Sequence, residues 1–202
     1  MKREEKNQQT KRRIMDSALA EFSEQGYGAS SINTICSAQG ISKGIIYHYF
    51  PSKDDLFLAC VDECFCLLTN NLTEKMQMIN GTVEEQLEEY FTARMAFFNT
   101  YPIYQRIFCE AVIAPPAHLR DAIQERKKDF DTLNIQILER LLSSLPLMPQ
   151  ITTEEIMETF QDFQNFINAK YPTTEFEAHD KKCRMALQIL LYGVIARKEQ
   201  IL

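Results

Sequence analysis

Chain breakers are scarce in this sequence. Six Gly and seven Pro are spread over 202 residues, and β-branched runs are few, so the long stretches between breakers repeat at helical spacing. That scarcity disfavours a many-stranded chain and points to an all-α fold. No apolar stretch reaches the roughly 18 uninterrupted residues that span a membrane, and the opening MKREEKNQQTKRR lacks the apolar segment of a signal peptide. A cytoplasmic protein without a membrane partner is expected. The six cysteines (Cys36, Cys60, Cys64, Cys66, Cys109 and Cys183) have no disulfide-framework spacing and read as small apolar side chains in a reducing compartment. Cys60 and Cys64 share a helical face while Cys66 points nearly opposite to Cys64, which leaves too few converging ligands for zinc. No metal is expected. His48, His118 and His179 lie far apart, and there is neither a Ser-His-Asp or Cys-His order nor a Gly-rich phosphate loop. Hence no catalytic residue and no cofactor is expected, and an enzyme is disfavoured.

What the chain does contain is 45% hydrophobic and 25% charged residues, the profile of a chain that folds. Its length suits a small domain joined to a larger one. The net charge of −6 is uneven: residues 1–60 carry eight Lys and Arg against seven Asp and Glu, and the remainder carries fourteen against twenty-one. Any contact with a polyanion therefore belongs to the head.

The first helix is predicted from about Gln8 to Gln25, with Ile14, Ala18, Leu19 and Phe22 as its apolar stripe and Gly26 as its stop. Two short helices follow, Ser31–Gln39 and Ser42–Phe50. Each starts on a serine suited to capping, and Gly40 supplies the left-handed turn between them. Past Pro51, Ser52 caps a long helix toward Ile79 with Asp54 and Asp55 at its positive end. Beyond Asn80 and Gly81 five more helices are expected: Thr82–Thr100, Pro102–Ala114, Pro116–Leu145, Thr153–Lys170 and Glu175–Gln200. The domain boundary is placed at 51/52, with residues 52–79 as the connecting helix.

At about 100° per residue, Ile46, Tyr49 and Phe50 fall on one face of the third helix and Lys43, Gly44, Tyr47 and His48 on the other. Ile32, Ile35, Cys36 and Ile41 form a matching core with the first helix, which makes a three-helix unit whose third helix fits a DNA major groove. From Ile14 to Leu56 the residues resemble the tetracycline-repressor (TetR) family. The positions that carry the likeness are Ile14, Ala18, Phe22, Gly26 and Tyr27, then Ser31, Ile35, Gly40, Ile41, Ser42, Gly44, Tyr47, Tyr49, Phe50, Lys53 and Leu56. The sequence departs from the family's pattern at Cys36 and Gln39, usually Ala, and at Ile45, often Thr, Ser or Ala. Ile45 exchanges a hydroxyl that reaches phosphate for an apolar group suited to a thymine methyl. The expected DNA contacts are Lys11, Arg12, Arg13, Ser30, Ser31, Ser42, Lys43, Gly44, Ile45, Tyr47, His48 and Lys53. Lys43 reaches base edges or phosphate, Tyr47 and His48 donate to phosphate, and the serines and Lys53 lie at helix starts that favour anions. The Lys11–Arg13 run adds sequence-independent attraction.

The body is rich in aromatic and thioether side chains, which suit an adaptable apolar pocket. The resemblance implies an effector site there, placed at Met95, Phe97, Phe98, Tyr101, Tyr104 and Phe108. Stripes on the last two helices, taken as Phe160, Phe163, Leu187, Leu190 and Val194, are expected to pair across a two-fold axis as a four-helix bundle. The function implied is a repressor that binds a (pseudo)palindromic operator as a homodimer and is released by a small apolar or aromatic effector. The alternatives are an activator or protein-regulated relative with the same head, and a helical ligand-binding protein without DNA contact.

Overall fold

A computed structural model describes residues 2–77, 79–145, 147, 150–170 and 175–194; the side chains of 2, 3 and 190–194 lie outside that description. Helix α1 (Lys2–Ala29) is polar at its start and becomes apolar where Ile14, Ala18, Leu19 and Phe22 turn inward. Gly26 breaks it at φ 74°, a conformation that a side chain disfavours. The N–H groups freed at the break are then satisfied individually. Tyr27 N–H donates to Glu110 Oε2 at 2.7 Å, Ser30 N–H to Gly26 O at 3.1 Å, and Ser31 N–H to the buried Glu21 at 2.8 Å.

Local capping explains the next starts and stops. Helix α2 (Ile32–Gln39) begins on Ser31, whose Oγ accepts from Asn33 N–H at 3.1 Å, and ends on Gly40 at φ 61°. Ser42 Oγ accepts from Ile45 N–H at 3.4 Å to open α3 (Lys43–Tyr49), and Ser52 Oγ accepts from Asp55 N–H at 3.0 Å to open α4 (Lys53–Gln77). Reciprocal Thr–Glu bonds open α5 (Val83–Thr100) through Thr82 and Glu85, and α9 (Thr153–Lys170) through Thr152 and Glu155. Between them lie α6 (Ile103–Val112), a 3-10 turn (Ala117–Leu119), α7 (Arg120–Arg126) and α8 (Lys128–Ser143); α10 (Phe176–Val194) completes the described order.

One expectation is corrected. The helix expected over 116–145 is divided by the 3-10 turn and by Lys127, whose φ and ψ (−96°, 5°) leave the helical region although no Gly or Pro stands nearby. Asp62 and Glu63 interrupt the apolar run of α4, so no uninterrupted apolar stretch of 18 residues is found there. Helix α4 has the length and a mean hydropathy of 1.3 over 18 residues, but half of that window is buried, as in a core helix. For the helix expected to reach Gln200, residues 195–200 lie outside the described residues.

Compactness divides the chain inside α4 and α5. One unit holds residues 1–67 and 98–128, the other 68–97 and 129–202. In the first, Phe22, Leu56, Phe57, Phe65 and Phe108 are fully buried. Polar cross-links join its elements. Arg12 grips Glu63 bidentately at 2.6 and 3.1 Å, and Tyr104 Oη donates to Glu63 at 2.5 Å. Tyr27 Oη donates to Asp54, while His118 Nε2 lies 3.1 Å from that hydroxyl and 3.2 Å from Asp54 Oδ2.

In the second unit, buried Arg94 on α5 pairs with buried Asp180 on α10, and Arg184 bridges Asp180 and Glu88. The Arg94 guanidinium lies 5.0 Å from the Phe91 ring centre and 5.7 Å from that of Tyr90. His179 beside them is buried, with Nε2 2.7 Å from Asn168 Oδ1. Burial, followed by the charge of Arg94, pushes its pKa down from 6.5 to about 4.

Two outcomes are expected. Gly26→Ala places a Cβ on Glu110 Oε1 and within 2.7 Å of Arg106 Nη2 at a positive φ. The strain and the disturbed cap together cost roughly 2–3 kcal/mol, read by urea denaturation. Because the folded pKa of His179 lies below its unfolded value, the unfolded chain binds the extra proton between pH 6.5 and 4. Stability therefore falls as pH drops through that window, and His179→Gln flattens the fall in melting temperature.

Candidate nucleic-acid interface

Ile46 and Phe50 anchor α3 and its C-cap in the head core, and Tyr49 is half-buried, its hydroxyl bonded to Asn7. The opposite face presents Ser42, Lys43, Gly44, Ile45, Tyr47 and His48 to solvent; Ile45 and Tyr47 remain 43% and 44% exposed. The side chains of Lys43 and Tyr47 make no hydrogen bond or ion pair to a described residue. Gly44 has helical geometry, and a Cβ built on it meets no atom within 4 Å. Neither packing nor backbone strain requires a glycine there. The smooth spot it leaves in the exposed face allows close approach of another surface.

A second set lies where α2 and α4 begin. Ser30 is buried and its Oγ donates to Tyr27 O at 2.8 Å, while Ser31 is half-buried as the α2 cap. The Lys53 ammonium donates to Ser30 O at 2.8 Å and sits 4.6 Å from the Tyr27 ring centre. Lys53 therefore carries a fixed positive charge at this edge, with two of its three donor hydrogens left by the Ser30 bond.

The three basic residues of α1 differ in role. Arg12 is held by Glu63 and Asp16, whose hydrogen bonds push its pKa further up, so its charge is largely compensated. Arg13 Nη2 donates to Gln39 O at 2.8 Å and ties α1 to the end of α2. Lys11 is exposed with its ammonium 5.9 Å from the Phe50 ring centre.

The six residues expected around an effector are distributed over both compact units, with Met95 and Phe97 in one and Phe98, Tyr101, Tyr104 and Phe108 in the other. Phe98 and Phe108 pack at 5.0 Å between ring centres, and Tyr101 is exposed. Reading by composition missed a cavity in the second unit lined by Leu87, Tyr90, Phe91 and Arg94 of α5, Asn134 and Leu138 of α8, and Phe160, Gln164, Cys183 and Leu187 of α9 and α10. Its volume is about 40 Å³.

Of the residues expected at a dimer interface, Phe163 is exposed and Phe160 half-buried, whereas Leu187 is buried inside its own unit and lines the cavity. The side chains of Leu190 and Val194 lie outside the described residues. Phe163 (46% exposed) and Phe166 (64%) on α9 face outward, as do Met185 (41%) and Ile189 (63%) on α10.

Comparison with known proteins agrees with this geometry. Residues 14–60 match the family described as bacterial regulatory proteins, tetR family. The chain is 41% identical to the HTH-type transcriptional regulator AcrR of Shigella flexneri over 56 residues, 28% of this chain and 26% of AcrR. It is 25% identical to the biofilm operon negative transcriptional regulator IcaR of Staphylococcus aureus (strain Newman) over 157 residues, 78% of this chain and 77% of IcaR. It spans 26–52% of the length of AcrR and other curated relatives that it matches. The transcriptional regulator FadR of Bacillus subtilis, solved in complex with stearoyl-CoA, shares the fold at a TM-score of 0.66 with 18% identity, covering 90% of this chain and 98% of FadR.

The side chains of Lys43 and Tyr47 form no hydrogen bond or ion pair with a described residue, and stability measurements are expected to show it. Gly44→Ala raises the unfolding free energy by roughly 0.5 kcal/mol through helix propensity, and Lys43→Ala and Tyr47→Ala change it by less than about 0.5 kcal/mol.

Proposed function

We propose, from the premise that the chain belongs to the TetR family of bacterial regulatory proteins, that it is a ligand-responsive repressor working in the cytoplasm on operator DNA as a homodimer. The observation that carries the reading is the outer face of α3. It combines a cation without a described partner, a glycine that packing does not require, and exposed Ile45, Tyr47 and His48 on a helix anchored from behind. Such a face offers donors to phosphate and base edges, with an apolar contact for a thymine methyl at Ile45. Ser31, Ser42 and Lys53 supply anion contacts at helix starts, and Lys11 adds long-range attraction.

Two copies read two half-sites about 34–36 Å apart, which requires a dimer contact. We assign that contact to the outward faces of α9 and α10, where Phe163, Phe166, Met185 and Ile189 present apolar surface. An effector that binds the DNA-released state more tightly lowers operator affinity by the ratio of its two affinities.

A gel-shift titration with the DNA upstream of the chain's own gene tests the reading. Binding is expected to weaken by about 1–3 kcal/mol in Lys43→Ala and in Tyr47→Ala. Gly44→Ala, more stable than the parent, is expected to bind more weakly as well. Affinity falls steeply with salt, and Lys53→Ala reduces that slope by about one. Unchanged affinity in all of the α3 variants refutes the assignment.

A further inference from the structure

The cavity in the second unit joins two features that stability alone does not require. Its wall is mostly apolar, yet it includes Arg94, Asn134 and Gln164. It is also small. At about 40 Å³ it holds about three waters, each needing roughly 10–15 Å³ on the same measure. Any larger occupant must move a wall apart. The movable walls include α9 and α10, which reach the cavity through Phe160, Gln164, Cys183 and Leu187 and carry Phe163, Phe166, Met185 and Ile189 on their outward faces.

The charges around the cavity limit what enters. Arg94 is paired with Asp180, and Arg184 with Glu88 and Asp180, so the positive and negative side chains balance. His179 is kept neutral by burial and by Arg94. The hydroxyl of Tyr90 donates to Asn134 Oδ1 at 2.6 Å, and burial pushes its pKa up. An anion or a cation entering this space brings a buried charge with no counter-charge to meet it, a cost that hydrogen bonds alone do not offset. An uncharged carbonyl or amide accepts from Arg94 and leaves the balance intact.

We propose that this cavity binds an uncharged ligand with an apolar body and one carbonyl-type acceptor directed to Arg94, and that its occupation acts through the α9–α10 pair. The second clause rests on the dimer contact assigned above; the first does not. Ligand binding parts the inner faces of α9 and α10, and their outer faces move as part of the same helices. Linkage then requires the ligand to change the dimer dissociation constant by the factor by which dimerisation changes ligand affinity.

Three probes of one chain length separate the chemistry: hexanamide, hexanoate and hexylammonium, each at 10 mM and pH 7 with the full chain. Hexanamide is expected to raise the melting temperature by about 3–5 °C, the shift for a ligand present at some tenfold its dissociation constant, while both ions leave it unchanged. Gln164→Phe, which fills the cavity from its rim, abolishes the shift; Cys183→Met fills it from α10 should the first variant fold poorly. Hexanoate acting as strongly as hexanamide, or a shift that survives both filling variants, overturns the site. Sedimentation equilibrium with and without hexanamide reads the coupling, with at least a threefold change in dimer dissociation constant expected. Amide binding with that constant unchanged overturns the coupling. A chain that stays monomeric overturns the dimer assigned above, and the melting shifts then decide the cavity independently.

Discussion

The carboxylate of Glu110 holds the turn on which the head's geometry depends. Gly26 interrupts α1 at a positive φ, and the N–H of Tyr27 exposed there donates to Glu110 at 2.7 Å. The segment leaving the break is fixed in turn by Glu21, which accepts from Ser31 N–H, and by Lys53, which donates to Ser30 O. Ser31 caps α2, α2 ends in the left-handed Gly40, and Ser42 caps α3. The direction of the exposed α3 face thus follows from a chain of backbone satisfactions that begins at one glycine. A small three-helix head has little apolar area with which to fix such directions by packing alone, so capping carries a large share of the specification.

This economy extends to charge. Within Lys11–Arg13, Arg12 is committed to Glu63 and Asp16 and Arg13 to the carbonyl of Gln39. Arg12 contributes shape more than field: through Glu63 it connects α1, α4 and the hydroxyl of Tyr104 on α6. Exposed Lys11 on α1, Lys43 on the open α3 face and Lys53 at the start of α4 add positive charge to the head. In a chain of net charge −6, a few well-placed cations favour binding at one face over general adhesion to a polyanion.

Much of the head was legible in the sequence because its signals are local. Ser31, Gly40, Ser42 and Ser52 each act within four residues of their own position, and the inward set Ile46 and Phe50 follows from helical period alone. The division of residues 116–145 was not legible, since Lys127 leaves the helical region without a Gly or Pro to announce it. Nor was the cavity. Aromatic abundance does not separate a ring packed in the core, such as Phe108, from one lining a void, such as Phe91, because both are apolar and both are buried. The position of a void is set by which side chains fail to meet, and that depends on pairs far apart in sequence.

Helix α10 shows the same limit most clearly and also how the protein resolves it. Leu187 and Ile189 are separated by about 200° on the helix, and both are apolar. Hydrophobic period alone therefore permits two rotations, with either residue inward. The polar groups break the tie. Asp180 meets Arg94, Arg184 meets Glu88 and lies 5.0 Å from the Phe91 ring centre, and His179 meets Asn168. Rotating Ile189 inward carries Asp180 away from Arg94 and leaves a buried guanidinium unpaired, a penalty of several kcal/mol against the small difference between burying Leu and Ile. A buried ion pair adds little net stability over a well-packed apolar substitute, so its contribution here is the choice of face. By holding Leu187 in, the Arg94–Asp180 pair holds Met185 and Ile189 out, and the surface α10 shows to solvent is decided by the charges it buries.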